Sequence, residues 1–111
     1  FNPSMDVKET EKKITLTVDL PGVEEDDIEL EVHDDLIRLK GERREEREEE
    51  NEDRRLIERS YGHFERALRL PFSPNDDAIK TKFKKGVLTV TIDKPKDVKS
   101  QSRRIPIGRA L

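Results

Sequence analysis

Phe83-Lys84-Lys85-Gly86-Val87-Leu88-Thr89-Val90-Thr91-Ile92 is the stretch on which the fold turns. It reads as the end of one strand, a turn at Lys85-Gly86 and a second strand that is the most β-prone run in the chain. Gly86 supplies a position where a positive φ costs nothing, as a tight hairpin needs. Side chains alternate across a strand, so Leu88, Val90 and Ile92 share one face and Val87, Thr89 and Thr91 share the other. One apolar face and one mixed face suit the inner surface of a two-layer β structure.

Upstream of this hairpin the same period of two recurs. Ile79, Thr81 and Phe83 alternate with Lys80, Lys82 and Lys84. Ile14, Leu16, Val18 and Leu20 alternate with Thr15, Thr17 and Asp19 before Pro21-Gly22 signals a turn. Ile28, Leu30 and Val32 alternate with Glu29, Glu31 and His33, and Asp34-Asp35 connects this strand tightly to Leu36, Ile37 and Leu39, in a strand that ends near Gly41. Met5 and Val7 fit a short edge strand. Tyr61-Gly62 is expected to turn the chain into a strand carrying Phe64, Leu68 and Leu70, with Arg66 intruding on its apolar face and Pro71 ending it. These are seven or eight short strands with turn signals between them and no convincing helix. The pattern predicts an all-β, immunoglobulin-like β-sandwich.

From Glu42 to Arg55 no residue is apolar, and this run carries eight acids and five bases. As a helix it has no stripe to bury, so a solvated loop is expected. Leu56-Ile57 follows, flanked by Arg54-Arg55 and Glu58-Arg59, and is too short to be a core strand; it reads as an edge strand that pairs elsewhere. Beyond Ile92, Lys94 to Ser102 reads as a polar tether.

The composition sets limits on function. The 111 residues hold 31% hydrophobic and 44% charged residues. Because the apolar residues alternate rather than scatter, they can build a core, but a thin one for which self-association is a common remedy. A net charge of -3 gives no global basic field for nucleic acid. The basic end around Lys80, Lys82, Lys84 and Lys85 lacks the interleaved aromatics of a single-strand binder. With no cysteine there is no disulfide, thiolate nucleophile or cysteine zinc site. His33 and His63 have no ligand spacing, the acid clusters Glu24–Asp27 and Glu48–Asp53 have no calcium-loop pattern, and no glycine-rich phosphate loop precedes a helix. No metal, cofactor, nucleotide or catalytic residue is therefore expected. No apolar run approaches the roughly eighteen residues of a membrane span and no signal peptide is visible, so a cytoplasmic location is expected. The chain begins at Phe1, which reads as a form that has lost its natural N-terminus.

Ile105-Pro106-Ile107 is the most informative tripeptide. Pro106 fixes its own φ and disfavours helix at Ile105, so the segment is held extended. Ile105 and Ile107 then point to the same side, roughly 6.6 Å apart. Two branched knobs on a soluble tether suit a groove; a tail packed on its own domain is the other reading.

The ordered set Asp19-Leu20-Pro21-Gly22-Val23, Ile37-Arg38-Leu39-Lys40-Gly41-Glu42-Arg43, Ile57-Glu58-Arg59-Ser60-Tyr61-Gly62-His63-Phe64, Leu70-Pro71, Gly86-Val87-Leu88-Thr89-Val90 and Ile105-Pro106-Ile107 resembles the small heat-shock proteins, in their bacterial, archaeal and plant branch. The resemblance covers nearly the whole chain. It implies an α-crystallin domain over residues 1–94, including a charged segment 42–60 that bears a strand swapped into a dimer partner, and a C-terminal extension over 95–111. It also implies an ATP-independent chaperone that holds unfolding clients, with self and partially unfolded proteins as partners. The swapped strand would be Leu56-Ile57-Glu58-Arg59, with Arg66 at the dimer interface. Ile105, Pro106 and Ile107 would dock in a neighbour's groove between Ile28–His33 and Ile79–Lys84, for which Leu30, Val32, Ile79, Thr81 and Phe83 are the candidates. The family's long N-terminal arm is not among these residues. A co-chaperone-like scaffold that binds one folded partner is the alternative function, and a β-sandwich hydrolase a third for which no nucleophile with a nearby base can be named.

Overall fold

The computed structural model describes residues 2–51, 54–96 and 104–110, and for 45–51 and 54–61 the backbone alone. Among the described residues seven strands follow in order: β1 (Met5–Glu9), β2 (Lys13–Asp19), β3 (Ile28–His33), β4 (Leu36–Asn51), β5 (Arg54–Arg69), β6 (Ile79–Lys84) and β7 (Val87–Asp93). Short 3-10 turns at Glu25–Asp27 and Asp76–Ala78 lead into β3 and β6. The strands form two antiparallel sheets, one ordered β1-β2-β7-β6 and the other β3-β4-β5. The expected β-sandwich is what the chain forms.

The deciding hairpin closes as its sequence requires. Lys85 and Gly86 both take positive φ, 51° and 79°, the signature of a two-residue turn whose twist matches the strands it joins. The Gly86 carbonyl then accepts the Leu20 N–H at 2.6 Å, which ties the turn to the end of β2. In the β2–β7 ladder Ile14 faces Ile92, Leu16 faces Val90 and Val18 faces Leu88. All six are buried, together with Ile37, Leu39 and Phe64 of the second sheet and Leu20, Val23, Leu70 and Phe72 of the connections. Thr15, Thr17, Thr89 and Thr91 lie half-buried on the other face, so the alternation of the sequence becomes the inside and outside of a layer.

Three sequence expectations are corrected. The run from Glu42 is not a solvated loop: β4 continues through it to Asn51 and pairs with β5 from Arg54 onward. The body strands Leu36–Gly41 and Phe64–Arg69 already form a ladder, so extending it needs no new nucleus and pairs backbone groups that would otherwise face water. The register also sets residues of opposite charge opposite one another, Glu46 to Arg59, Arg47 to Glu58 and Glu50 to Arg55. Tyr61-Gly62 is not a turn but lies within β5, opposite Arg44 and Arg43. Gly41 does not end its strand; a Cβ there would lie 2.2 Å from Cε1 of Phe64, its cross-strand neighbour, so the glycine admits the ring. A fourth difference concerns Lys94. The sequence places it at the start of the tether, yet its side chain is 2% exposed, with Nζ 3.0 Å from a Glu9 carboxylate oxygen, and its N–H donates to the Lys12 carbonyl at 2.8 Å.

Candidate interaction sites

The two sheets leave a groove on the side where β3 and β6 form their edges. The alternation in β3 turns Ile28, Leu30 and Val32 inward, half-buried, while Glu29, Glu31 and His33 are exposed. In β6, Ile79 and Phe83 are half-buried and Thr81 is exposed between Lys80 and Lys82. An opening of about 250 Å³ lies between these strands, lined by Glu25, Ile28, Leu30, Thr81, Phe83 and Leu88. Of the sequence candidates, Leu30, Thr81 and Phe83 are brought together there. Val32 and Ile79 pack half-buried against the same core without lining this opening. Ile28, Leu88 and Glu25 were missed. Ile28 shares the β3 alternation and could have been included, whereas Glu25 reaches the groove from the 3-10 turn, which no strand period marks.

The tail segment Arg104–Ala110 has no regular structure and is exposed throughout. Ile105 is 72% and Ile107 93% exposed. The alternative of a tail packed on its own domain is therefore not realised in the monomer, and two large apolar side chains face solvent.

Leu56, Ile57, Glu58 and Arg59 are part of β5, paired to Glu49, Glu48, Arg47 and Glu46; their side chains lie outside the described residues. The arm beyond Gly41 and Phe64 is a two-stranded ribbon, a form that is marginal without further pairing. At its root the Arg44 guanidinium lies 3.4 Å from Glu42 and 3.7 Å from Asp27, bridging the arm to the 3-10 turn. A polar opening of about 380 Å³ sits there, with Asp27, Glu29, Lys40, Glu42 and Glu65 among its lining residues.

Arg66 stands opposite Leu39 on the inward face of β5 and is half-buried. Its guanidinium donates to the Asn2 side-chain oxygen and, at 3.0 Å, to the Glu65 carbonyl. This ties the lead-in before β1 to the second sheet. β1 itself is the opposite edge of the four-stranded sheet, with Val7 half exposed. His33 and His63 are exposed on separate strands, and among the described residues no three metal-ligating side chains gather. No helix among the described residues is long and apolar enough to cross a membrane.

Two antiparallel sheets of four and three strands, a long β4–β5 arm and an exposed I-x-I tail define the α-crystallin class of sandwich. The chain belongs to the Hsp20/alpha crystallin family, whose model matches residues 6–108. It is 37% identical over 105 residues to small heat shock protein C2 of Rickettsia felis, covering 95% of this chain and 67% of the relative. It is 39% identical to spore protein SP21 of Stigmatella aurantiaca, covering 97% of this chain and 63% of the relative. The chain thus spans about two thirds of the length of these curated relatives. Among solved structures it is similar to heat shock protein 16.0 from Schizosaccharomyces pombe, with a TM-score of 0.74, 32% identity and coverage of 98% and 99% of the two chains. It is also similar to a small heat-shock protein from Xylella fastidiosa, with a TM-score of 0.63, 32% identity and 98% coverage of each. The family is one of chaperones, not enzymes.

Proposed function

We propose that this chain is an ATP-independent holdase that binds partially unfolded proteins and prevents their aggregation. The observation that carries the reading is the pair Ile105 and Ile107, exposed on a segment outside the sandwich, together with an apolar groove that the monomer leaves open. Burying both isoleucines contributes about 3–6 kcal/mol gross. Association consumes much of that, so one docking event is weak, while many in a closed assembly are strong together and each can still open alone. Opening exposes the same groove to clients, which it withdraws from self-aggregation by mass action.

In this reading residues 1–94 form the α-crystallin domain and 95–111 the extension. The arm within 42–60 lends Leu56-Ile57-Glu58-Arg59 to a partner's sheet, and β1, an edge strand with Val7 half exposed, is the acceptor. Arg66 stands at that dimer interface. The protein works as a homo-oligomer in the cytoplasm.

The test is light scattering of a heat-aggregating client, without nucleotide, with and without the chain. Suppression at near-stoichiometric ratios is expected. A chain that leaves aggregation unchanged and instead forms a stoichiometric complex with one folded protein would replace this reading with that of a scaffold module.

A further inference from the structure

We infer that Glu25 clasps Arg109 of a docking tail and so sets the direction in which the tail lies in the groove. The inference rests on the tail-docking reading above and adds the residue pair that gives it polarity.

Glu25 is the single ionisable residue among the six that line the groove. Among the described residues no ion pair engages its carboxylate, unlike Asp27 two residues on, which faces Arg44 at 3.7 Å. The charged residues of the two walls differ in sign: β6 contributes Lys80, Lys82 and Lys84, whereas β3 carries Glu29 and Glu31 and is entered from Glu25. A cationic tail residue therefore finds its favourable place on the β3 side, at the end where Glu25 opens to the groove.

The order of residues matches along both partners. Followed backward from β3 into the turn, the groove presents Leu30, Ile28 and then Glu25. In an extended tail every second residue shares a side, so Ile105, Ile107 and Arg109 form one row. Apolar, apolar and acidic groups on the groove meet apolar, apolar and basic groups on the tail when the tail runs opposite to β3. Glu25 sits on a turn, off the line of the strand, and Gly108 gives the tail the freedom to bend toward it just before Arg109. Arg104 falls on the other side of the extended chain and serves as an internal control.

The experiment is fluorescence anisotropy of a labelled peptide of residues 101–111 titrated with the chain. Arg109→Glu in the peptide is expected to weaken binding roughly three- to tenfold, as suits loss and reversal of a rim ion pair, with the gap closing at high salt. Glu25→Arg in the chain, an exposed position that the core does not need, is expected to reverse the preference so that the Arg109→Glu peptide binds better than the native one. Arg104→Glu is expected to have a smaller effect. Binding of the Arg109→Glu peptide equal to that of the native peptide overturns the inference alone, and so does an equal or larger loss with Arg103→Glu, which would mean that the tail lies the other way. If the native peptide does not bind, or binds no better than one carrying alanine at both 105 and 107, the docking reading fails and the clasp with it.

Discussion

Gly41→Ala pits two physical effects of opposite sign against each other. Gly41 lies within β4 and does not have a positive φ, so intrinsic preference favours alanine by about 0.5–1 kcal/mol through the entropy a glycine loses on folding. The packing opposes it. The added Cβ would meet Phe64 at 2.2 Å from Cε1, 2.8 Å from Cζ and 3.2 Å from Cδ1. Ordinary contact between carbons begins near 3.5 Å, so the ring must retreat by more than an ångström, and Phe64 is 4% exposed within the core. Overpacking of this kind costs about 1–3 kcal/mol, with the upper end expected for a stiff ring. The net expectation is a destabilisation of about 2 kcal/mol. Chemical denaturation at fixed protein concentration measures it as a lower midpoint with an unchanged slope. Adding Phe64→Leu should recover part of the loss, because the shorter side chain vacates the space that the methyl group takes, and the two changes should depart from additivity by at least 1 kcal/mol. Gly41→Ala with a midpoint equal to or above that of the native chain would refute the steric account of why this strand carries a glycine.

Three further outcomes follow from the geometry. Ile105→Ala with Ile107→Ala removes most of the gross burial of the tail knobs, and light scattering of the assembly should show smaller particles and faster subunit exchange; unchanged mass and exchange would remove the tail from assembly. Arg66→Gly severs the link to Asn2 and the inward guanidinium of β5, and dimer dissociation measured by analytical ultracentrifugation should rise several-fold; an unchanged dimer affinity would make Arg66 a merely local residue. Glu9→Ala should cost more than Lys94→Met in a denaturation experiment, about 2–3 kcal/mol against about 1, because it leaves a nearly fully buried ammonium without its partner, whereas the reverse change leaves a carboxylate that is 48% exposed to water. Equal costs would mean that Lys94 acts through its aliphatic stem alone.

Period-two alternation is a local property, and where one face of a strand is buried it survives into the fold. It therefore marked β2, β3, β6 and β7 and their inward residues, as Val18, Val90 and Ile92 show, each 0% exposed. The arm escaped because the run from Glu42 to Arg55 holds no apolar residue and so has no period to reveal, and its pairing follows from continuity with the body strands and from opposite charges set across from one another at Glu46–Arg59, Arg47–Glu58 and Glu50–Arg55. The groove was partly legible. Leu30, Thr81 and Phe83 follow from alternation on two strands, but Glu25 stands on a turn and enters the site only because that turn brings it to the opening.

The order of apolar and polar residues by itself determined that this chain is a β-sandwich with a hairpin at Lys85-Gly86, and that a proline holds two isoleucines extended near its end. Those features depend on neighbours one or two positions away, where covalent geometry and side-chain alternation leave little choice. Tertiary structure alone decided that Gly41 makes room for Phe64, that Lys94 is buried against Glu9, that Arg66 reaches Asn2 and that Glu25 opens onto the groove between β3 and β6. Each of these joins residues far apart in the chain or set by a turn, and their meeting depends on how the two sheets register and pack.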